Sequence, residues 1–152
     1  MNYDQLKLEN QLCFPLYAAS RLIIRAYKTD LDVLGITYTQ YLVLMVLWKT
    51  DEISVKEIAE KLILNTNTVT PLLKRMESMQ LLSRVPSKSD QRKVMISLTE
   101  HGKTMQLHAA EVPFNLLKKL NMTMTETEIA DTLELKSRLY QIINTLETDE
   151  KQ

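Results

Sequence analysis

Residues 54–99 read SVKEIAEKLILNTNTVTPLLKRMESMQLLSRVPSKSDQRKVMISLT, and the order of structural signals in this stretch decides the fold. The S-x-x-E pattern at its start is a capping box, which predicts a short helix over residues 55–62. The turn at 64–67 is rich in asparagine and threonine, and it precedes a second predicted helix from about 68 to 80. Two helices joined by a tight turn predict a helix-turn-helix.

After the second helix, the hydrophobic period changes from that of a helix to that of a strand. Val94, Ile96 and Leu98 recur at every second position, and residues 82–85 form a short candidate partner strand. Residues 86–92 between them are polar and typical of a turn. The stretch therefore predicts a winged helix-turn-helix: a mainly α fold with a small β-hairpin wing.

Further helices are predicted on both sides of this core. Apolar residues recur at spacings of three and four over residues 10–30. Capping signals predict an apolar helix ending at Trp48, a helix over 100–110 and a final helix over 126–146. The expected organisation is one domain over 1–152, with a winged-helix core at about 37–99 and dimerisation helices at about 8–30 and 100–147.

Composition narrows the class of protein. Two glycines and four prolines in 152 residues disfavour a hairpin-rich all-β fold. A single cysteine excludes an intrachain disulfide framework and fits a reducing cytoplasm, and the polar N-terminus lacks a secretory pattern. No apolar run reaches the length of a membrane span, and no Cys/His cluster has zinc spacing. We expect a cytoplasmic protein without a membrane partner, metal or cofactor.

Charge is distributed unevenly although the net charge is zero. Residues 65–103 carry seven Lys or Arg against three Asp or Glu, a net charge of +4. Residues 120–152 carry three against seven, a net charge of −4. The basic block is suited to contact phosphates, and the acidic block faces solvent or a partner chain.

Cys13 is the candidate for redox chemistry. Pro15 is tolerated in the first turn of a helix, so the helix either begins near Phe14 or is kinked there. Both alternatives place Cys13 near a helix N-terminus, where the reactive thiolate is favoured. Tyr17 is its i+4 neighbour and shares its face. The competing interpretation is an inert cysteine buried in the core.

Several segments resemble the MarR family of winged-helix transcriptional regulators. They are LENQLCFPLYAASR, GITYTQYLVLMVLW, SVKEIAEKL, TVTPLLKRMESMQLLSR and SDQRKVMISLTEHGK, which together cover residues 8 to about 105. The segment around Cys13 resembles the organic-hydroperoxide-sensing repressor branch, in its one-cysteine form. Asn65, Asn67 and Pro15 depart from the usual pattern of that branch.

The resemblance implies roles for particular residues. It assigns redox sensing to Cys13, Tyr17 and Tyr27, with one tyrosine supplied by the other subunit. Because Tyr27 lies 14 residues from Cys13, about 21 Å along one helix, it reaches only the thiol of an antiparallel partner chain. Ordinary packing remains an open alternative for Tyr38 and Tyr41. The residues expected at DNA are Thr66, Asn67, Thr68, Thr70, Lys74, Arg75, Lys88, Asp90 and Arg92.

The function implied is that of a homodimeric repressor, not an enzyme. It binds a pseudo-palindromic double-stranded DNA operator and releases it when an organic peroxide oxidises Cys13. Because the chain has no second cysteine, we expect a low-molecular-weight thiol to cap the oxidised residue. Three alternatives remain open: a MarR-type regulator of a phenolic or other small ligand, a thiol peroxidase, and an interaction module that does not bind DNA.

Overall fold

A computed structural model describes residues 3–87 and 90–149 of the chain. Two 3-10 turns, Asp4–Leu6 and Leu8–Asn10, precede the first helix. The helices are α1 Cys13–Val33, α2 Tyr38–Lys49, α3 Val55–Leu62, α4 Thr66–Ser78, α5 Glu100–Ala109, α6 Val112–Lys119 and α7 Glu126–Asp149. The strands are β1 Ile53–Ser54, β2 Leu82–Pro86 and β3 Val94–Leu98. The predicted fold class, mainly α with a small hairpin, is confirmed.

Capping boxes begin three of the helices, as the sequence predicts. At α2, the Thr37 side chain accepts the Gln40 backbone N–H while the Gln40 side chain accepts the Thr37 N–H. Ser54 and Glu57 make the same reciprocal pair at α3. At α7, the hydrogen bonds between residues 125 and 128 also run both ways. Each box satisfies backbone donors that a helix N-terminus otherwise leaves unpaired.

The start of α1 decides between the two interpretations of Pro15. The helix begins at Cys13, so Pro15 is its third residue. The first N–H groups of a helix have no intrahelical partner, and the missing N–H of proline costs no hydrogen bond there. The helix therefore begins near Phe14, as the first alternative has it, and Cys13 is its first residue.

The three strands form one antiparallel sheet with the order β1-β3-β2. Leu82 pairs with Leu98 and Pro86 with Val94, so β2 and β3 form the predicted hairpin. Strand β1 was not predicted, because it is only two residues long and exists through its pairing with β3. It connects the chain before α3 to the base of the wing.

Two other elements differ from the prediction. Helix α4 begins at Thr66 and ends at Ser78, two residues earlier at each end than the sequence indicates. Helix α6 was not predicted as a separate element. The chain divides into two compact units, one up to Pro113 and one from Phe114 onward. The first unit is wider than the predicted core at 37–99, since it includes α1 and α5.

The hydrophobic core of the first unit lies behind the helix-turn-helix. Leu44 of α2, Ile58 of α3, Leu73 of α4 and Ile96 of β3 are fully buried there. They belong to one buried cluster, in which α4 packs against α3 and β2. Among the described residues, no single helix is long and apolar enough to span a bilayer, and only α1 and α2 together, across a 75° bend, reach that length and composition.

Candidate functional site

The turn between α3 and α4 sets the direction of the second helix. Ile63 ends α3 in the left-handed conformation, with φ of 54°, and Asn65 precedes α4 in an extended conformation. The Leu64 N–H bonds the Ala59 carbonyl at 2.9 Å, which closes the end of α3. A β-branched residue rarely adopts positive φ, so the tight turn is held by its surroundings.

Helix α4 has one buried and one open face. Val69, Leu73 and Met76 point into the core at helical spacing. The opposite side is exposed, as a helix that enters a DNA groove requires. The exposed residues that the sequence predicted on this helix are Thr66, Asn67, Thr68, Lys74 and Arg75. The half-buried Thr70 donates its hydroxyl to the Thr66 carbonyl at 2.7 Å, so it shapes the first turn of the helix.

The wing presents Arg92 through a hydrogen-bonded turn. The Asp90 carboxylate accepts the Arg92 backbone N–H at 3.0 Å, and the Asp90 carbonyl accepts the Lys93 N–H at 2.9 Å. Asp90 thus holds the turn, and the Arg92 side chain is exposed. Lys88, also predicted at DNA, lies outside the described residues.

A groove of about 710 Å³ joins the predicted helix and wing residues. Thr66 and Thr70 line it from α4, and Arg92 lines it from the wing. Lys56, Glu57 and Glu60 of α3 also line it. Two cations of the hairpin, Arg84 and Lys93, line it as well, and they were missed by the sequence interpretation. They belong to the +4 block, which was the available signal, but the sequence did not show which face of the hairpin they occupy.

Arg84 connects the wing to α4. Its backbone N–H donates to the Glu77 carboxylate at 3.2 Å, and its guanidinium lies 3.5 Å from the other oxygen of that carboxylate. Arg84 is largely buried, so the pair is better shielded from solvent than a surface ion pair. The pair fixes β2 against the last turn of α4.

Cys13 is exposed, which contradicts the interpretation as an inert core residue. It is the first residue of α1. One turn later, the Tyr17 hydroxyl accepts a hydrogen bond of 3.0 Å from the Arg21 guanidinium. This guanidinium also lies 5.3 Å from the centroid of the Tyr17 ring. Arg21 therefore holds the phenol that shares a helix face with the thiol.

Tyr27 is separated from the thiol of its own chain. It lies on the same uninterrupted helix as Cys13, 14 residues along, and the sequence-based distance of about 21 Å therefore applies. Its ring packs 5.2 Å from that of Tyr38 and 6.0 Å from that of Tyr41. These three residues are called the tyrosine cluster below.

The tyrosine cluster supplies phenol donors. Burial raises the pKa of all three phenols above the ordinary value of 10.0, and neighbouring phenols add to the effect at Tyr27 and Tyr41. The phenols therefore stay protonated at neutral pH and can donate to a sulfur anion. Tyr38, for which ordinary packing was one open alternative, begins α2 with its ring packed against Tyr27.

A pocket of about 490 Å³ lies beside Tyr38 and α1. Ile24, Leu31 and Ile36 give it apolar walls, and Arg21 and Arg25 place cations around it. Lys28 also lines it but forms an ion pair of 2.6 Å with Asp32, another residue of its wall. Among the described residues, no group of three His, Cys, Asp or Glu side chains is placed to hold a metal ion.

The helix-turn-helix, the basic wing and the groove between them define a winged-helix regulator of transcription, and comparisons with known proteins agree. The family described as "Transcriptional regulator SarA/Rot" matches residues 25–107. The organic hydroperoxide resistance transcriptional regulator of Bacillus subtilis (strain 168) is 44% identical over 144 residues, or 95% of each chain. The chain belongs to the MarR-type winged-helix transcriptional regulators, a group that includes the SarA/Rot type.

Two solved structures of AbfR from Staphylococcus epidermidis are similar over nearly the whole chain. Reduced AbfR bound to DNA has a TM-score of 0.79 and 36% identity, covering 96% of this chain and 99% of that one. Disulfide-formed AbfR has a TM-score of 0.67 and 36% identity, covering 94% of each chain.

Proposed function

We propose that this chain is a homodimeric repressor that releases its operator when an organic hydroperoxide oxidises Cys13. The observation that carries the proposal is the separation within α1 of an exposed thiol from the tyrosine cluster. Each chain holds half of a sensor site, and an antiparallel pair of chains completes two such sites. The relative from Bacillus subtilis is named for organic hydroperoxide resistance, which supports this choice of oxidant.

DNA binding is assigned to α4 and the wing. The N-terminal residues of a recognition helix contact base edges in the major groove, and residues farther along contact phosphates. Thr66, Asn67 and Thr68 therefore contact bases, with Thr70 behind them, while Lys74 and Arg75 contact phosphates. Arg92 reaches the neighbouring groove or backbone, Asp90 shapes its turn, and Lys88 adds a positive charge.

Exposed apolar side chains support dimer formation. Phe14, Leu16 and Leu22 of α1 are exposed in the isolated chain, and so are Leu133 and Leu146 of α7. Such stripes are buried when helices of two chains pack together. A C2 dimer places two recognition helices at half-sites about one helical turn apart, which requires a pseudo-palindromic operator.

The chemistry begins with nucleophilic attack by the thiolate. The Cys13 sulfur attacks the terminal oxygen of the hydroperoxide, the O–O bond breaks, and the departing alkoxide leaves as the alcohol after taking a proton. Cys13 is then a sulfenic acid. A low-molecular-weight thiol condenses with it to give a mixed disulfide and water. The added group does not fit between Tyr17 and the partner's Tyr27, so the helices move apart and the recognition helices lose their spacing.

This chain is a stoichiometric sensor, not an enzyme. It contains one cysteine, so no second thiol of the same chain resolves the sulfenic acid. Its sensing cycle fits a reducing cytoplasm, where small thiols are abundant.

The test is a DNA-shift assay on the promoter of the chain's own gene. Reduced protein is expected to shift the fragment, and an organic hydroperoxide with a small thiol is expected to abolish the shift. The matched control is Cys13→Ser, which keeps the size of the side chain and removes the nucleophile. Retention of the shift by oxidised wild-type protein, or its loss by treated Cys13→Ser, would refute the proposal.

The pocket beside Tyr38 favours a second candidate function, regulation by a small acidic ligand. Apolar walls with surrounding cations suit an aromatic carboxylate or a phenolate. Release of DNA by such a ligand in Cys13→Ser, without peroxide, would favour this function over the first.

A further inference from the structure

Gln40 is the polar residue in a core otherwise made of apolar side chains. Among the described residues it is the one buried residue with a polar side chain, and 3% of its surface is exposed. Burying an amide costs free energy unless its hydrogen-bonding groups are satisfied. Its partners therefore define what the residue does.

The two ends of the Gln40 amide bind different parts of the fold. The oxygen Oε1 accepts the Thr37 backbone N–H at 2.7 Å, within the capping box of α2. The nitrogen Nε2 donates to the sulfur Sδ of Met79 at 3.3 Å. A thioether is a weak acceptor, so an apolar pair of the same shape would stabilise the core about as well. The hydrogen bond is therefore better explained by the two elements that it links than by a gain in the stability of the core.

Gln40 joins the two parts of the fold that the proposed sensing mechanism must connect, namely the tyrosine cluster and α4. Thr37 directly precedes Tyr38, whose ring packs against Tyr27 in the tyrosine cluster. Met79 is the C-cap of the recognition helix, and its N–H bonds the Arg75 carbonyl. One side chain thus spans from the start of α2, beside the sensor, to the end of α4.

We propose that Gln40 is a positioning residue that couples the redox state of Cys13 to the orientation of α4 through its hydrogen bond to Met79. The inference rests on the proposed function. When the modified Cys13 of the partner chain displaces Tyr27, the Tyr38 ring packed against it moves, and so does the capping box that precedes Tyr38. Gln40 moves as well, because its Oε1 belongs to the box. Because Nε2 of Gln40 is hydrogen-bonded to Sδ of Met79, α4 either moves with α2 or loses this hydrogen bond. This gives α2 and α4 two discrete arrangements, as coupling between distant sites requires.

Met79→Leu tests the coupling, because it removes the acceptor at nearly constant volume. Three quantities are measured: operator affinity of reduced protein, operator affinity after oxidation by cumene hydroperoxide with a small thiol, and the rate of Cys13 oxidation by intact mass. The reduced affinity and the oxidation rate are expected to stay within about threefold of wild type, while the loss of affinity on oxidation shrinks about tenfold. Met105→Leu, at a buried methionine of α5, is the matched control and is expected to leave all three quantities unchanged.

Met79→Gln provides the rescue, since its amide oxygen is a stronger acceptor for Gln40. It is expected to restore the full loss of affinity on oxidation. An undiminished loss in Met79→Leu would overturn the proposal, and so would failure of Met79→Gln to restore it. If wild-type protein itself keeps its affinity when fully oxidised, then the proposed function fails, which is a different result from a defect confined to the Met79 variants.

Discussion

Gly102→Ala is expected to destabilise the protein, although alanine favours a helix more than glycine does. Gly102 lies in α5 and is buried. A Cβ atom there would lie 2.0 Å from the Leu81 carbonyl oxygen and 3.0 Å from Cδ2 of Leu98. The Leu81 carbonyl is backbone and also accepts the Thr99 N–H at 3.2 Å, so it cannot move aside freely.

The magnitude follows from three terms. Ordinary contact begins at 3.4 Å, so α5 or the Leu81 backbone must shift by about 1.4 Å. Forcing extra volume into a packed core costs about 1–3 kcal/mol. The shift also weakens the bond of 2.9 Å from the Trp48 indole N–H to the Gly102 carbonyl, worth about 0.5–1.5 kcal/mol. The gain in helix propensity offsets about 1 kcal/mol. The net loss is about 0.5–3.5 kcal/mol, or about 1–14 °C in Tm.

Urea unfolding followed by the fluorescence of Trp48, the single tryptophan, measures this loss. Circular dichroism of the same samples checks that helix content is lost in the same transition. His101→Ala is the matched control, because it makes a helix-favouring change at an exposed neighbour and is expected to change the free energy of unfolding little. Equal or greater stability of Gly102→Ala would show that the close approach of α5 to Leu81 is wrong.

Four further predictions concern the wing, the helix turn, the tyrosine cluster and the dimer. Arg92→Ala should weaken operator binding by about 1–3 kcal/mol, measured by fluorescence anisotropy, and unchanged affinity with an intact fold would remove Arg92 from the interface. Ile63→Gly should raise the free energy of unfolding by about 1 kcal/mol, because it relieves a left-handed conformation; a lower urea midpoint would contradict this. Because the tyrosine cluster has raised pKa values, its contribution to stability is complete below pH 10 and is lost as pH rises through the folded-state values; urea midpoints that stay constant to pH 12 would exclude this. In mixed dimers of Cys13→Ser and Tyr27→Phe chains, the remaining thiol faces an intact partner tyrosine, so it should be oxidised at the wild-type rate; a rate equal to that of the Tyr27→Phe homodimer would exclude sharing between chains.

Local signals in the sequence predicted the hairpin and every described helix except α6, because capping boxes and hydrophobic periods act over a few residues. The start of α4 was misplaced because Asn65 and Asn67 are both good capping residues; the N-cap is Asn65, although its side chain makes no capping hydrogen bond. Strand β1 depends on pairing Ile53 with Ile96, a contact distant in sequence. No local pattern reports such a contact.

The residues of the candidate site also divide into those that local sequence signals indicated and those that only the fold revealed. Cys13 was found because it is the single cysteine and lies at a helix start. The shaping role of Asp90 and the placement of Arg84 in the groove depend on the geometry of the hairpin. Tyr38 joins the tyrosine cluster only when α1 and α2 are packed and its ring meets Tyr27. These residues needed the fold because their roles come from tertiary neighbours.

If the oxidation state of Cys13 sets operator affinity, DNA release and Cys13 modification must run together in one time course. Reduced protein bound to fluorescent operator DNA is treated with cumene hydroperoxide and a small thiol, and anisotropy and intact mass are recorded on the same samples. We expect DNA release to follow the fraction of Cys13 that carries the added thiol, with neither change in Cys13→Ser. Release before any change in mass, or full modification of Cys13 with the DNA still bound, would contradict the account.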